Sequence, residues 1–448
     1  VDSLEMMEAR TRDISARSVT DARWTIGDLT AALPPHAALV DLFRVDSSRA
    51  GPKYVAFVFD EHGYNALIDL GETTPIDSMI AGYRFRIDQI SSSTGSARAK
   101  SLRFLKSQAR ALYDLLWRPL ESAVGEARMV FIAPEGKLHL MPFTVLVDEE
   151  GKYVIERYKV HHLAAGRDIL RLTDEHIRAA QRLLALGDPD FDAPAIKEEM
   201  DLSGTPILAN GAAVPPQSLR SVFDAVRGLG VSRLPGTGTE VRAIASHDDR
   251  AVVLTGRKAS EENFKRLAPQ FGRIHLATHG FSLREAPMFG HTVSRPVENP
   301  LLQTGLYLAG ANRRASAIDT TGTEDGVLTA LEVAELDLRA TGLVVLSACE
   351  TGIGRVETGE GVYDMRRAFH AAGVRTVIGS LWKVPDEETA TLFRQFYSGS
   401  GENCAERMQR AAVSRIREAR KRGRPADPSA WGAFVATGEW RIPARPRP

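Results

Sequence analysis

From about residue 183 onward the chain alternates between two kinds of segment so regularly that few folds can accommodate it. Short uninterrupted apolar runs, LLALGDP, AVVLTG, RIHLATHG, TGLYLAG, GLVVLSAC and RTVIGSL, are separated by stretches with helical spacing, GTEVRAIASH, ASEENFKRLAPQ, LTALEVAEL, GVYDMRRAFHAAG and DEETATLFRQFY. A strand that is apolar at every position is covered on both faces, and a helix in each crossover lets the next strand run parallel to the last. The pattern predicts a doubly wound, mostly parallel α/β sheet flanked by helices. A polar insert around 195 to 232 interrupts it, and a basic helix from about 402 to 420 closes it.

The first half is less regular. Residues 1 to about 34 read as helix, stopped by Pro34 and Pro35, which lack the N–H a helix needs. HAALVDLFRV, YVAFVFD and YNALIDL follow as strands, then helical spacing from about 76 to 124, broken by a small polar loop, SSSTGSARAKS. RMVFIAP reads as a buried strand, and LHLMPFTVLVDEEGKYVIERYKVHHL as strand, Glu-Gly turn and strand. At about 150 residues per domain, the 448 residues divide into an N-terminal helix or linker (1–34), a mixed α/β domain (35–180) and the regular α/β domain (181–448). The first residue is Val1, so the sequence is expected to be the C-terminal part of a longer protein.

Composition narrows the function. Lys and Arg number 57 against 57 Asp and Glu, a net charge of +0 that argues against a general binder of nucleic acid or acidic membrane. No run approaches the roughly 18 apolar residues of a membrane span, and the charged start VDSLEMMEARTRD lacks an export signal, so a cytoplasmic location is expected. The two cysteines, Cys349 and Cys404, exclude a disulfide framework and read as free thiols. The basic run RIREARKRGRPAD reads as a solvated helix face.

In open α/β sheets reacting groups collect beyond the carboxyl ends of the strands. RIHLATHG ends at His279 and Gly280, and GLVVLSAC ends at Cys349. Neighbouring parallel strands would bring that imidazole and thiol together as general base and nucleophile, with backbone N–H groups of Gly280 and Cys349 as oxyanion donors. A cysteine at the end of an apolar strand is more often a small buried hydrophobe. Zinc at His275 and His279 is disfavoured because the segment is a strand with no third ligand, so no metal is expected, and His275 reads as a core or supporting residue.

RIHLATHGF, EDGVLTALEVAELDLRATGLVVLSACETGIG, GEGVYDMRRAFHAAGVRTVIGSLWKVPDEETATLFRQFY and WGAFVATGEW resemble the CHAT domain, a caspase-like family related to separase. LPPHAALVDLFRV, LYDLLWRPLESAVGEARMVFIAPEGKLHLMPFTVLV, YVIERYKVHHLAAGRDIL and LPGTGTEVRAIA resemble its N-terminal part, so the likeness runs from about 27 to 440. It implies a cysteine endopeptidase with His279 as base and Cys349 as nucleophile. The N-terminal half would be a degenerate, inactive caspase-like layer.

The resemblance also places the pocket for the side chain before the scissile bond. The residue two before the cysteine, Ser347, is small and neutral, and no arginine stands where aspartate specificity needs one. Asp188 and Asp386 stand instead at carboxyl ends of strands, and separase, which cleaves after arginine, shares the Leu-Trp-x-Val-x-Asp run. A buried carboxylate pairs best with a guanidinium, so cleavage after Arg, with Lys second, is expected. Asp386 is also in place to cap a helix, Asp188 to form a turn, and Trp382 to pack in the core or to wall the pocket. Glu324 and Asp325 read as acids of the first turn of a helix, and Cys404 as inert.

The expected protein is thus a cysteine peptidase without a cofactor, cutting one or a few protein partners with a basic residue before the cut, in a regulated prokaryotic signalling or defence pathway. An activating partner or ligand is expected, because a free protease in the cell is dangerous. IGRVETGEGV and LREAPMFGHTVSRPVENPLLQ, which flank the site, are candidate moving segments. The rival reading is a caspase-like scaffold or sensor whose catalytic residues are unused.

Overall fold

The computed structural model describes residues 25–47, 51–91, 93–172, 182–193, 230–282, 299–313, 324–348, 355–357, 361–399 and 403–441. The N-terminal half supplies β1 (Ala37–Ser47), β2 (Gly51–Asp60) and β3 (Gly63–Glu72), an antiparallel meander, then β4 (Met129–Ala133) and β5 (Lys159–His162). β4 runs parallel to both β1 and β5. The C-terminal half supplies β6 (Leu183–Pro189), β7 (Val252–Gly256), β8 (Arg273–Ala277), β12 (Leu343–Leu346), β15 (Thr376–Ser380) and β16 (Phe434–Gly438). All eleven form one sheet, in the order β3-β2-β1-β4-β5-β16-β15-β12-β8-β6-β7.

The two halves therefore join edge to edge. β16 is antiparallel to β15 through five residue pairs and meets β5 in parallel at Thr437 and His162. β16 belongs to no strand anticipated from the sequence. One continuous core runs across the junction, with Tyr54, Trp117 and Phe143 on one side and Trp382, Phe393 and Phe434 on the other. Arg84 ties the halves further: buried, it donates to the carbonyl of Leu140 at 3.1 Å and to that of Leu381 at 2.8 Å.

The principal helices, in chain order, are α1 (Thr73–Ser91), α2 (Gly95–Leu116), α3 (Pro235–Ala245), α4 (Glu261–Leu267), α5 (Ala330–Glu335), α6 (Met365–Ala371), α7 (Asp386–Ser398) and α8 (Cys404–Lys421). α3 starts with Pro235 in its first turn, where the missing N–H costs nothing. It crosses close over β6 because Gly187 lacks a side chain: a Cβ there would stand 2.6 Å from the Thr237 carbonyl oxygen. α7 carries Asp386, Glu387 and Glu388 in its first turn, favoured by the positive end of the helix dipole, and packs along α3.

Several expectations change. The first-half loop is shorter than SSSTGSARAKS, because α2 begins at Gly95. The apolar run LHLMPFTVLV is not a strand; it forms two 3-10 turns, Gly136–Leu140 and Phe143–Val145, with Pro142 between them and Gly136 at φ 57°. TGLYLAG supplies β10 (Thr304–Tyr307), which leaves the main sheet to pair with β9 (Gly280–Ser282) and β11 (Val327–Thr329). Glu324 and Asp325 precede β11 and not a helix. Glu324 pairs with Lys265 at 3.0 Å, and Asp325 accepts from the Val327 N–H. The proposed helix before Pro34 is seen only as Ile26–Ala31; residues 1–24 lie outside the described residues. Among the described residues no helix is long and apolar enough to cross a membrane.

Candidate active site

β8 and β12 are hydrogen-bonded parallel neighbours, in register up to Leu276 and Leu346, and the Ser347 N–H extends the ladder to the Leu276 carbonyl at 2.8 Å. His279 and Cys349 each stand three residues beyond that last pair. Cys349 itself lies outside the described residues, as do the flanking segments 283–298 and 349–354. The residue before it is held: Ser380 of β15 donates its hydroxyl to the Ala348 carbonyl at 2.5 Å.

The backbone around His279 is fixed by β10, whose Tyr307 N–H donates to the His279 carbonyl at 2.9 Å. Gly280 opens β9, opposite Leu306. The imidazole is half-buried, with the ring of Phe191 5.6 Å away and tilted by 39°. Its Nε2 lies 2.8 Å from the carbonyl of Ser232. A carbonyl only accepts, so Nε2 carries the proton and Nδ1 is the nitrogen left with a lone pair. Burial holds the histidine below its ordinary pKa and Lys383 pushes the same way; the Ser232 carbonyl and Asp386 oppose them. The ring is thus kept neutral and basic at Nδ1.

Asp386 is the first residue of α7, half-buried beside His279, and burial raises its carboxyl above the usual range while His279 and Lys383 oppose that shift. Its neighbour across α3 is Gly236, where a Cβ would fall 2.8 Å from the Asp386 Cβ and 3.0 Å from Oδ2.

Asp188 is placed differently from Asp386. It is the penultimate residue of β6, at φ 48°, a left-handed conformation unusual for a residue with a side chain, and its N–H donates to Thr237 Oγ1 at 2.8 Å. Both its carboxylate oxygens are taken by Arg233 of this chain, at 3.1 Å from Nε and 2.7 Å from Nη2. Ser347 turns its hydroxyl inward to Glu240 Oε1 at 2.7 Å. Trp382 is fully buried against Tyr83 and donates to the Ser429 carbonyl, so its ring shows no face to solvent.

Beneath the strand ends lies a buried polar network that the sequence did not reveal. Glu240 of α3 is completely enclosed; its Oε1 also takes His275 Nε2 at 2.9 Å, and Tyr397 of α7 approaches His275 Nδ1 at 3.4 Å. His275 is thus a buried core residue, held by Glu240 and Tyr397. Cys404 is enclosed at the start of α8, and burial raises its thiol to about 12. Along the basic stretch, Arg415 pairs with Glu388, Arg420 with Glu156 and Arg422 with Glu418.

A large, mostly parallel sheet flanked by helices, with His279 just past the end of β8 and Ala348 just past the end of its neighbour β12, defines a caspase-like α/β fold. The CHAT domain family model matches residues 106–439, and the chain belongs to that family. Tetratricopeptide repeat protein 28 of Homo sapiens is 26% identical over 344 residues, covering 72% of this chain and 13% of that protein. Its Mus musculus counterpart is 26% identical over 330 residues, covering 68% and 12%. The chain thus spans only 12 to 13% of the length of the curated relatives it matches. Among solved structures, the Saccharomyces cerevisiae separase–securin complex superposes with a TM-score of 0.50 at 8% identity, over 92% of this chain and 30% of that one, a likeness of fold.

Proposed function

We propose that the chain is a cysteine endopeptidase in which Cys349 attacks the carbonyl following a basic residue and His279 is the general base. The carrying observation is the β8–β12 register, which runs to Leu276 and Leu346, each three residues before His279 and Cys349 in the sequence, together with an imidazole whose Nε2 is already committed to Ser232. Adjacent strands lie about 4.8 Å apart, close enough for a thiol and an imidazole to share a proton.

In this reading the Cys349 proton passes to His279 Nδ1 as sulfur bonds to the carbonyl carbon. The oxyanion is met by backbone N–H groups of Gly280 and Cys349. Collapse breaks the peptide C–N bond, and the amine leaves with the proton from Nδ1. Water, deprotonated at the same nitrogen, then cleaves the thioester and restores the thiol. No cofactor takes part. Asp386, beside the base and with its carboxylate uncommitted to any guanidinium among the described residues, receives the Arg or Lys side chain. Asp188 is not assigned that role, because Arg233 occupies it. The substrate is one or a few protein partners, in a regulated prokaryotic signalling or defence setting.

The test compares fluorogenic peptides carrying Arg, Lys or Asp before the cut, with wild type, Cys349→Ala and His279→Ala. Turnover of the Arg peptide that both substitutions abolish supports the reading. Preference for Asp sinks the pocket assignment, and turnover unaffected by Cys349→Ala sinks the nucleophile.

A further inference from the structure

The segment carrying the Ser232 carbonyl is anchored on both sides by side chains. Before it, Asn312 clasps the backbone of Val231 twice: Oδ1 accepts from the Val231 N–H at 2.9 Å, and Nδ2 donates to the Val231 carbonyl at 2.8 Å. Nδ2 also reaches Asp192 Oδ1 at 2.9 Å, and the Asn312 N–H binds the carbonyl of Phe191, the residue packed on His279. After it, Arg233 is forked onto Asp188, whose left-handed backbone is held by Thr237 and accommodated by Gly238, where a Cβ would stand 3.0 Å from the Asp188 Cβ. Three successive residues are thus fixed by three different partners: Val231 by Asn312, Ser232 by His279, Arg233 by Asp188.

We infer that Asn312 and the Arg233–Asp188 pair are positioning residues for the general base. They form a strap that holds the Ser232 carbonyl against His279 Nε2, so that the Nδ1 lone pair faces the thiol. The inference rests on the proposed role of His279. A bidentate carboxylate–guanidinium pair fixes orientation in a way a single contact does not, and a nonglycine residue kept at positive φ is tolerated where the surroundings over-determine it. The chemistry assigned to Asp188 changes with it: this acid restrains an internal arginine and does not receive the arginine of a substrate.

The experiment makes Asp188→Asn, which suits a left-handed backbone, Arg233→Ala, Arg233→Lys and Asn312→Ala in the full chain. Each is read by kcat and KM on the Arg peptide, by thermal melting, and by the ¹⁵N shifts of the His279 ring, which report its tautomer. Expected are a kcat lower by about tenfold or more for Arg233→Ala and Asn312→Ala, KM unchanged, a mixed tautomer, and partial recovery with Arg233→Lys. A raised KM with unchanged kcat in Asp188→Asn would return Asp188 to the substrate pocket and overturn the inference, as would a His279 tautomer that none of the variants moves. Because the ring shifts need no turnover, they test the strap even if wild type proves inactive, an outcome that defeats only the proposed function.

Discussion

Gly236 and Asp386 face each other across the junction of α3 and α7, so closely that a methyl group on the glycine would stand 2.8 Å from the Asp386 Cβ. The space beside the acid exists because this position has no side chain. Gly236→Ala is expected to displace the carboxylate and raise KM for the Arg peptide by about tenfold, equivalent to about 1.4 kcal/mol, with little change in melting temperature. Steady-state kinetics and calorimetry check it; an unchanged KM would mean that Asp386 does not bind the substrate side chain.

Burial lowers the His279 pKa, and two charged neighbours act on it in opposite directions. Lys383 disfavours the imidazolium and Asp386 favours it. Lys383→Met is expected to raise the histidine pKa and move the acid limb of kcat/KM to higher pH, since a base works only when neutral. Asp386→Asn is expected to lower that pKa, read by proton NMR of the His279 ring because turnover would suffer separately. Shifts in the reverse directions would remove these two groups from the electrostatics of the base.

Glu240 binds two groups, His275 on β8 and Ser347 just past β12, and sits in no solvent. Glu240→Ala would leave His275 and Ser347 without their acceptor, so a loss of about 2–4 kcal/mol in unfolding free energy is expected. Urea denaturation measures it, and a loss below about 0.5 kcal/mol would show that the network relaxes freely.

Acid should weaken the junction of the two halves. His161 and His162 on β5 are buried, and burial lowers His161 to about 4 and His162 well below the ordinary 6.5. Below pH 6.5 the unfolded chain takes up protons that these folded residues refuse. Stability is then full above 6.5 and falls as pH drops toward the folded values, by about 1.4 kcal/mol per pH unit for each histidine. Urea midpoints at pH 7 and pH 5 should differ accordingly, and His161→Gln should flatten the slope. Equal midpoints would contradict the burial argument.

The C-terminal half was legible because its strands are apolar at every position and its helices amphipathic, so period alone separated them. β8, β12 and β15 appeared as read, with β12 between the other two. LHLMPFTVLV misled for the same reason: a buried run of turns is as apolar as a buried strand, and only Gly136 and Pro142 hinted otherwise. β16 was hidden in WGAFVATGEW, short and glycine-broken, because its partners come from distant parts of the chain. Asp386 was singled out from its place after a strand. Asp188 was singled out by the same rule, yet its partner Arg233 was not, since that pairing arises only when the residues leading into α3 fold back beside β6. Ser232 and Asn312 act through a carbonyl and a local clasp, and neither leaves a pattern in composition or spacing.

The single sheet has a consequence for how the protein can be divided. β16 has β15 on one side and β5 on the other, so a fragment starting at residue 181 would present a bare strand with open N–H and carbonyl groups where β5 had been. Such a rim is adhesive to any other extended peptide. The N-terminal half, which contributes none of the proposed reacting groups, lays β5 along that rim like a selvedge.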